Sequence, residues 1–266
     1  KEAYMNKDII FNNQSINIEL ASGCCKGRCR FCTDCGKNFR VFSLAEIKEN
    51  IDSINTESFI SQAVFSCEDS IAFPTNFIIE VMNYVKEKKP HIKEFSICAK
   101  TQAILMKPAE ELMLLRENGL SKIYHKIISG DQSVLDENLA DENLDEQIEA
   151  AEAVKKAGIE LSQIIYTGLA KKHMNTHVLS AILTAKHLNA MQPDEVISAA
   201  YGTNPLDSLE EIQAVTELLD LENGYFSSGE FRFKFPEQKN YFSAFLSETM
   251  HGNGVYINQF QGVSND

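Results

Sequence analysis

Between Ile16 and Leu219 the chain repeats one pattern: a short apolar run that suits a strand, a polar turn, then apolar residues at helical spacing. The strand candidates are Ile16–Leu20, Phe59–Phe65, Glu94–Cys98, Ile123–Ile128, Leu161–Tyr166 and Val196–Ala200. The helical stripes are Leu44/Ile47/Ile51/Ile54, Phe77/Val81/Val85, Pro108 to Asn118, Leu144/Ile148/Ala151/Val154, Val178/Ile182/Ala185/Leu188 and Leu209/Ile212/Val215/Leu219. Ser43 and Glu46 form a capping-box pattern, and Gly119 and Gly158 stand where helices stop. Strands that alternate with helices through short connections predict a parallel α/β sheet with right-handed crossovers. Six units are countable, and the default closed form of such a repeat is an eight-unit barrel. From Tyr225 onward the pattern weakens, with one strand candidate at Phe231–Phe235. The expected organisation is a barrel core over residues 1–224 and a C-terminal extension over 225–266 that packs on it.

The first strand runs into Cys25-Lys26-Gly27-Arg28-Cys29-Arg30-Phe31-Cys32. Three thiolates on one short loop can hold three corners of a cubane iron–sulfur cluster and leave one iron open to a ligand. Zinc is the alternative, with Cys24 or Cys35 as a fourth ligand. A disulfide knot does not suit a chain of 266 residues whose cysteines gather toward one end. The seven cysteines, with no secretory signal in view, lead us to expect a reducing cytoplasm. The net charge of −13 opposes nucleic-acid binding, which relies on a basic face. No apolar run is long enough for a membrane helix. Lys26, Arg28, Arg30, Lys37 and Arg40 nevertheless crowd the cysteine loop. They read either as solvated loop charge or as cations that offset a thiolate-ligated cluster and draw in an anionic substrate or reductant.

The cysteine stretch, with Phe31 directly before the third cysteine, resembles the signature of the radical S-adenosylmethionine (radical SAM) superfamily. Six strand–helix units match the partial (β/α)6 TIM-like barrel of that family, and the resemblance runs from Ile16 to Leu219. It implies that Cys25, Cys29 and Cys32 hold a [4Fe–4S] cluster. The free iron would chelate S-adenosyl-L-methionine, whose reductive cleavage yields a 5′-deoxyadenosyl radical that abstracts hydrogen from substrate. Phe31 would present its backbone near the adenine. The implied partners are a small organic substrate and a low-potential electron donor such as flavodoxin or ferredoxin; an exposed cubane also implies low oxygen.

In a barrel of parallel strands, chemistry sits at the C-terminal strand ends. After the second strand candidate come Ser66-Cys67-Glu68-Asp69-Ser70, where the family often has Gly-Gly-Glu; both glycines are replaced, and Glu68 or Asp69 can accept from the cofactor's ammonium. Cys98 follows on the third strand. Cys67 and Cys98 thus stand at adjacent strand ends, as packing or as hydrogen-atom donors to a substrate radical. Ser129-Gly130-Asp131 resembles the Glu-Ser-Gly-Ser stretch of the branch that includes oxygen-independent coproporphyrinogen oxidases and methylthiotransferases, with Ile128 in place of its glutamate. Gly168 would let backbone approach the cofactor, Lys171, Lys172 and His173 follow the fifth strand, and Tyr201 would edge the adenine pocket. A second cluster would need Cys24, Cys35, Cys67 and Cys98 to converge, and one cluster is expected. The reading is an enzyme that starts radical chemistry on a small or medium organic substrate. The alternative is an iron–sulfur or zinc protein that uses the same fold for assembly or sensing without turnover.

Overall fold

The computed structural model describes residues 15–24, 28–32, 37–56, 59–170, 176–200, 205–228 and 231–235. Among the sequence candidates, Cys25, Lys26, Cys35, Lys171, Lys172, His173 and Tyr201 lie outside the described residues.

The main sheet uses β1 (Ser15–Ile18), β4 (Gln62–Phe65), β5 (Glu94–Ala99), β6 (Leu120–Ile128), β7 (Glu160–Thr167), β8 (Glu195–Ala200), β9 (Gly224–Ser228) and β10 (Phe231–Phe235), hydrogen-bonded in that order. Every neighbouring pair from β1 to β9 is parallel, and β10 returns antiparallel along β9. Six parallel strands answer the sequence pattern, and β9 adds a seventh across the expected boundary between residues 224 and 225. The strand order never reverses, so right-handed crossovers lay all the helices on one face and the other face curls into a lumen. Contacts that skip a strand mark that concavity: Lys122 of β6 reaches Glu195 of β8 at 3.1 Å, and Lys126 of β6 reaches Glu68 beyond β4 at 3.2 Å.

The helices are α1 (Leu44–Ser53), α2 (Thr75–Lys88), α3 (Thr101–Leu105), α4 (Ala109–Glu117), α5 (Gln132–Glu137), α6 (Leu144–Lys156), α7 (Thr176–Met191) and α8 (Pro205–Leu218). α1 opens with the expected capping box: Ser43 accepts from the Glu46 backbone, and the Glu46 carboxylate accepts from Ser43 N–H at 2.8 Å. Asn143 caps α6 by accepting from the backbone of Asp145 and Glu146. α4 begins after Pro108 and stops at Asn118, before Gly119 turns the chain with φ +103°.

Strand alternation sorts the side chains. Ile16, Ile18, Ala63, Phe65, Phe95, Ile97, Ile123, Ile127, Leu161, Ile165 and Val196 face the helices and build the main core with Ile47, Ile51, Ile78, Val81, Leu112, Val154 and Leu188. The residues between them face the lumen. Val64, Cys98, Tyr124, Ile164 and Ile197 form a second apolar cluster there, one from each of β4 to β8. Below it, at the N-terminal strand ends, Lys122 bridges Glu160 at 2.7 Å and Glu195 at 3.1 Å, while Ser162 and Ser227 donate to Glu195. The lumen therefore has an ionic floor and an apolar middle.

A small antiparallel ladder, β2 (Ala21–Ser22) with β3 (Arg40–Val41), closes the neck of the loop that carries the cysteines. Gly23 sits in this neck with φ +73°, and a Cβ there would meet the Asn38 carbonyl oxygen at 2.3 Å. Only glycine satisfies both the conformation and the approach.

Candidate active site

The upper end of the lumen is polar and is built from three strand ends. Lys126 points inward from β6, 5% exposed. Its ammonium lies 3.2 Å from Glu68 Oε1, and Lys100, just past β5, approaches Glu68 Oε2 at 3.7 Å. Burial works to raise the Glu68 pKa, but the two ammonium groups outweigh it and hold the carboxyl below its ordinary value. Burial likewise opposes charge on Lys126, and Glu68, Cys98 and Tyr166 reverse that, so its pKa is raised. Asp69 accepts from the Lys100 backbone N–H at 2.9 Å. Burial pushes its carboxyl up to about 6 in spite of that bond and the neighbouring cations.

The cysteine loop lies against this cluster. Cys29 and Cys32 share one tight turn, in which Cys32 N–H donates to the Cys29 carbonyl at 3.4 Å. Cys29 is buried and Cys32 half-buried. Burial opposes charge on Lys100, but Glu68 and, behind it, Cys29 and Cys24 outweigh that and raise its pKa. Phe31 packs with Cys29, Ile128, Val134, Leu135 and Leu169, and its ring centroid is 5.4 Å from that of Tyr166. Tyr166 also packs against the lumen cluster, so it joins the cysteine loop to the interior.

The other sequence candidates fall at this end of the strands. Ser66 Oγ is buried with no partner among the described residues, and so is Asn17 Oδ1 on neighbouring β1. Cys98 faces the lumen and is 1% exposed, and burial pushes its thiol up to about 11. Cys67 faces the other way, packing on the helix-side core with its sulfur 3.0 Å from Ser70 Oγ. Ser129 lies 3.3 Å from Thr184 Oγ1 of α7, and a Cβ on Gly130 would meet Thr184 Cα at 2.6 Å. The Ser129-Gly130 pair is thus committed to seating α7. Gly168, at φ +89°, donates its N–H to Glu211 at 2.7 Å. Ile128 adopts φ +71°, in the left-handed region that β-branched residues avoid, at a register shift of β6. The surrounding basic residues are partly engaged: Arg28 pairs with Asp141 at 3.0 Å, and Arg40 with Glu46.

Lys126 escaped the sequence reading. Strand alternation from Ile123 and Ile127 already turns Lys126 inward, and a lysine facing the interior of a barrel needs a partner.

The radical SAM superfamily model matches residues 20–176, more than half of the chain. The chain belongs to the radical SAM superfamily. The superfamily uses a [4Fe–4S] cluster and S-adenosylmethionine, and these are the cofactors of an enzyme of this class. Two thiols in one turn near the Lys100 ammonium suit a thiolate-ligated cluster. Solved radical SAM folds agree. The chain is similar to methylornithine synthase (PylB), with a TM-score of 0.57 and 19% identity, covering 86% of this chain and 78% of that one. It is similar to HydG, a maturase of the [FeFe]-hydrogenase, with a TM-score of 0.55 and 11% identity over 77% of this chain and 48% of that one. It is also similar to coproporphyrinogen III oxidase (HemN) from Escherichia coli, with a TM-score of 0.52 and 15% identity over 88% of this chain and 52% of that one. The chain thus spans about half the length of the last two. No curated protein sequence matches it. Membership in the superfamily favours the enzyme over a binding protein without turnover. Among the described residues, no helix is long and apolar enough to cross a membrane.

Proposed function

We propose that the chain binds its cluster through Cys25, Cys29 and Cys32 and starts radical chemistry on a small polar molecule held at the upper end of the lumen. The observation that carries this reading is the meeting of the Cys29–Cys32 turn with a buried carboxylate–ammonium cluster at the same strand ends. The cluster, when bound, supplies the electron that cleaves S-adenosylmethionine to a 5′-deoxyadenosyl radical. The chain's own residues bind, orient and exclude water.

Glu68 and Asp69 offer carboxylates to the cofactor's ammonium, in place of the family's Gly-Gly-Glu stretch. Lys100, whose contact to Glu68 is the looser at 3.7 Å, would be available to pair with the cofactor's carboxylate. Phe31 would edge the adenine and the Gly168 backbone would approach the cofactor; Tyr201, also expected at the adenine, lies outside the described residues. Ser129 serves this site indirectly through α7. Ser66 Oγ and Asn17 Oδ1 take hydrogen bonds from the substrate, because buried polar atoms without partners are costly until a ligand satisfies them. The apolar middle of the lumen limits the substrate to a small or medium molecule, since Val64, Ile164 and Ile197 already fill it. A low-potential flavodoxin or ferredoxin supplies electrons, in a reducing, oxygen-poor cytoplasm.

The test is anaerobic reconstitution with iron and sulfide, addition of dithionite and S-adenosylmethionine, and detection of 5′-deoxyadenosine. Formation that depends on Cys25, Cys29 and Cys32 supports the proposal. A protein that holds zinc, or that holds iron and releases no deoxyadenosine, overturns it.

A further inference from the structure

Three pairs of consecutive residues meet at the upper strand ends: Glu68-Asp69, Lys100-Thr101 and His125-Lys126. One member of each pair, Glu68, Lys100 or Lys126, enters the buried ion cluster. The other three bond behind it. Asp69 accepts from the Lys100 backbone N–H at 2.9 Å. Thr101, the first residue of α3, has its hydroxyl 3.0 Å from Nε2 of His125 and also hydrogen-bonds the Glu142 carboxylate. Ala99 of β5 pairs with His125 of β6, and the next residues along the chain are Lys100 and Lys126. Strand alternation turns His125 away from the lumen, to the side of Ile123 and Ile127. Thr101 is 1% exposed and His125 fully buried. A carboxylate only accepts, so the single Thr101 O–H goes to Glu142 and the Thr101 oxygen accepts from His125 Nε2–H. The ring is then neutral, as its burial beside His187 of α7 favours, and Nδ1 has no partner among the described residues. Buried polar groups are costly unless bonded, and an apolar pair would fill the same space without that cost. What the polar pair adds is direction.

We propose that Thr101 and His125 are positioning residues: their hydrogen bond ties the segment that carries Lys100 to the strand that carries Lys126, and so fixes both ammonium groups around Glu68. This role rests on the pairing of Lys100 with the carboxylate of S-adenosylmethionine set out above. Glu142 completes the tie from the loop before α6, and Asp69 completes it from the loop after β4. The site thus has charge on the inside and directed hydrogen bonds behind it. The two lysines need this support unequally. Lys126 is held by the strand it belongs to. Lys100 stands where β5 has ended, at the N-cap of α3, and its side chain makes no capping bond there. Its long side chain is therefore aimed by its backbone, and the backbone is pinned by Asp69 on one side and by Thr101 on the other. Its contact to Glu68, at 3.7 Å, is also looser than the 3.2 Å contact of Lys126. Loss of the Thr101–His125 bond acts on ligand binding through Lys100.

The experiment measures binding of S-adenosylmethionine to the reconstituted protein by anaerobic equilibrium dialysis, without a reductant and so without cleavage. Thr101→Val keeps the shape and removes the hydroxyl, and it is expected to weaken binding about tenfold, the scale of one directed hydrogen bond. His125→Leu is expected to weaken it likewise. Thr101→Ser keeps the hydroxyl and is expected to recover most of the affinity. Lys100→Met is expected to weaken binding, and Thr101→Val added to Lys100→Met is expected to weaken it no further, since the threonine acts through the lysine. Iron content and the urea midpoint report whether each variant is folded and loaded. Should Thr101→Val and His125→Leu both fail to fold, wild type carries the test. Nitrogen magnetic resonance of isotope-labelled histidine, with His125 assigned through its backbone, is then expected to show a proton on Nε2 and none on Nδ1. A proton on Nδ1 overturns the proposal. So does a folded Thr101→Val protein that binds as wild type does, or a loss that persists undiminished in the Lys100→Met background. Lys100→Met binding as tightly as wild type defeats the Lys100 assignment itself, so the two failures are told apart.

Discussion

The Lys126 ammonium lies 3.2 Å from Oε1 of Glu68, and these residues are 58 positions apart in the chain and two strands apart in the sheet. Each neutralises a charge that the barrel has taken out of water. Removing Glu68 leaves Lys126 buried without its carboxylate, at a cost of about 3–5 kcal/mol, whereas Lys126→Met leaves Glu68 the looser Lys100 contact at 3.7 Å. Glu68→Gln is expected to lower the unfolding free energy by that order and Lys126→Met by less. The Lys126→Met/Glu68→Met double variant is expected to recover much of the Glu68→Gln loss, because the buried Lys126 ammonium is removed together with its partner. A double-mutant cycle from urea unfolding checks this, and additive losses would contradict it.

Two buried groups give opposite pH signatures. Asp69 is pushed from its ordinary 3.8 up to about 6, so the folded state holds its proton where the unfolded state has released it. Its contribution to stability, about 3 kcal/mol, is fully present below pH 3.8 and fades as pH rises toward 6. His125 is buried and lowered from 6.5 to about 3, chiefly by burial. Its contribution is present above pH 6.5 and fades as pH falls toward 3. Between pH 4 and 6 the two slopes oppose. Asp69→Asn is therefore expected to make stability rise more steeply with pH across that window than in wild type. His125→Gln is expected to make it fall. Urea unfolding at half-unit pH steps measures both differences.

Gly23 holds the neck of the cysteine loop. In Gly23→Ala the new methyl meets the Asn38 carbonyl oxygen at 2.3 Å on a backbone of φ +73°, so the strand pair β2–β3 must part. The strain costs about 1–3 kcal/mol and is local. The expected result is a protein that melts within a few degrees of wild type but takes up less iron on reconstitution.

Cys25→Ala, Cys29→Ala and Cys32→Ala are each expected to abolish stable iron uptake, because a cluster already short of a fourth protein ligand cannot spare another. Cys24→Ala and Cys67→Ala are expected to keep it. Iron and sulfide counts after anaerobic reconstitution separate these sets. Eight irons per chain in wild type would mean a second cluster, against expectation.

The strands and long helices were legible because one face of each is apolar and the other is not. Ser43 and Glu46 announced a helix start that the structure reproduces atom for atom. β6 was read as starting at Ile123, three residues late, because Ser121 and Lys122 look like turn residues; the Lys122 charge is instead satisfied inside the barrel by Glu160 and Glu195. β9 passed unread because Gly224-Tyr225-Phe226-Ser227-Ser228 is short and mostly polar, and its pairing with β8 is a long-range fact. The site was legible where a motif concentrates it, as in the cysteine loop. It was not legible where residues remote in sequence converge, as Lys126 and Glu68 do. Ser129-Gly130 shows the reverse: a stretch that resembled cofactor contacts is occupied with Thr184 and His187 of α7.

Val64, Ile164 and Ile197 act as a stopper partway down the lumen, while Lys122, Glu160 and Glu195 brace the far end on their own. Depth and chemistry are thereby assigned to different tiers. Shaving the stopper, for instance by Ile197→Ala, deepens the cup for a longer guest without touching the cysteine turn above or the ionic brace beneath. A lineage built this way can change what it accepts by trimming aliphatic carbons and leave its electron-handling parts as they were.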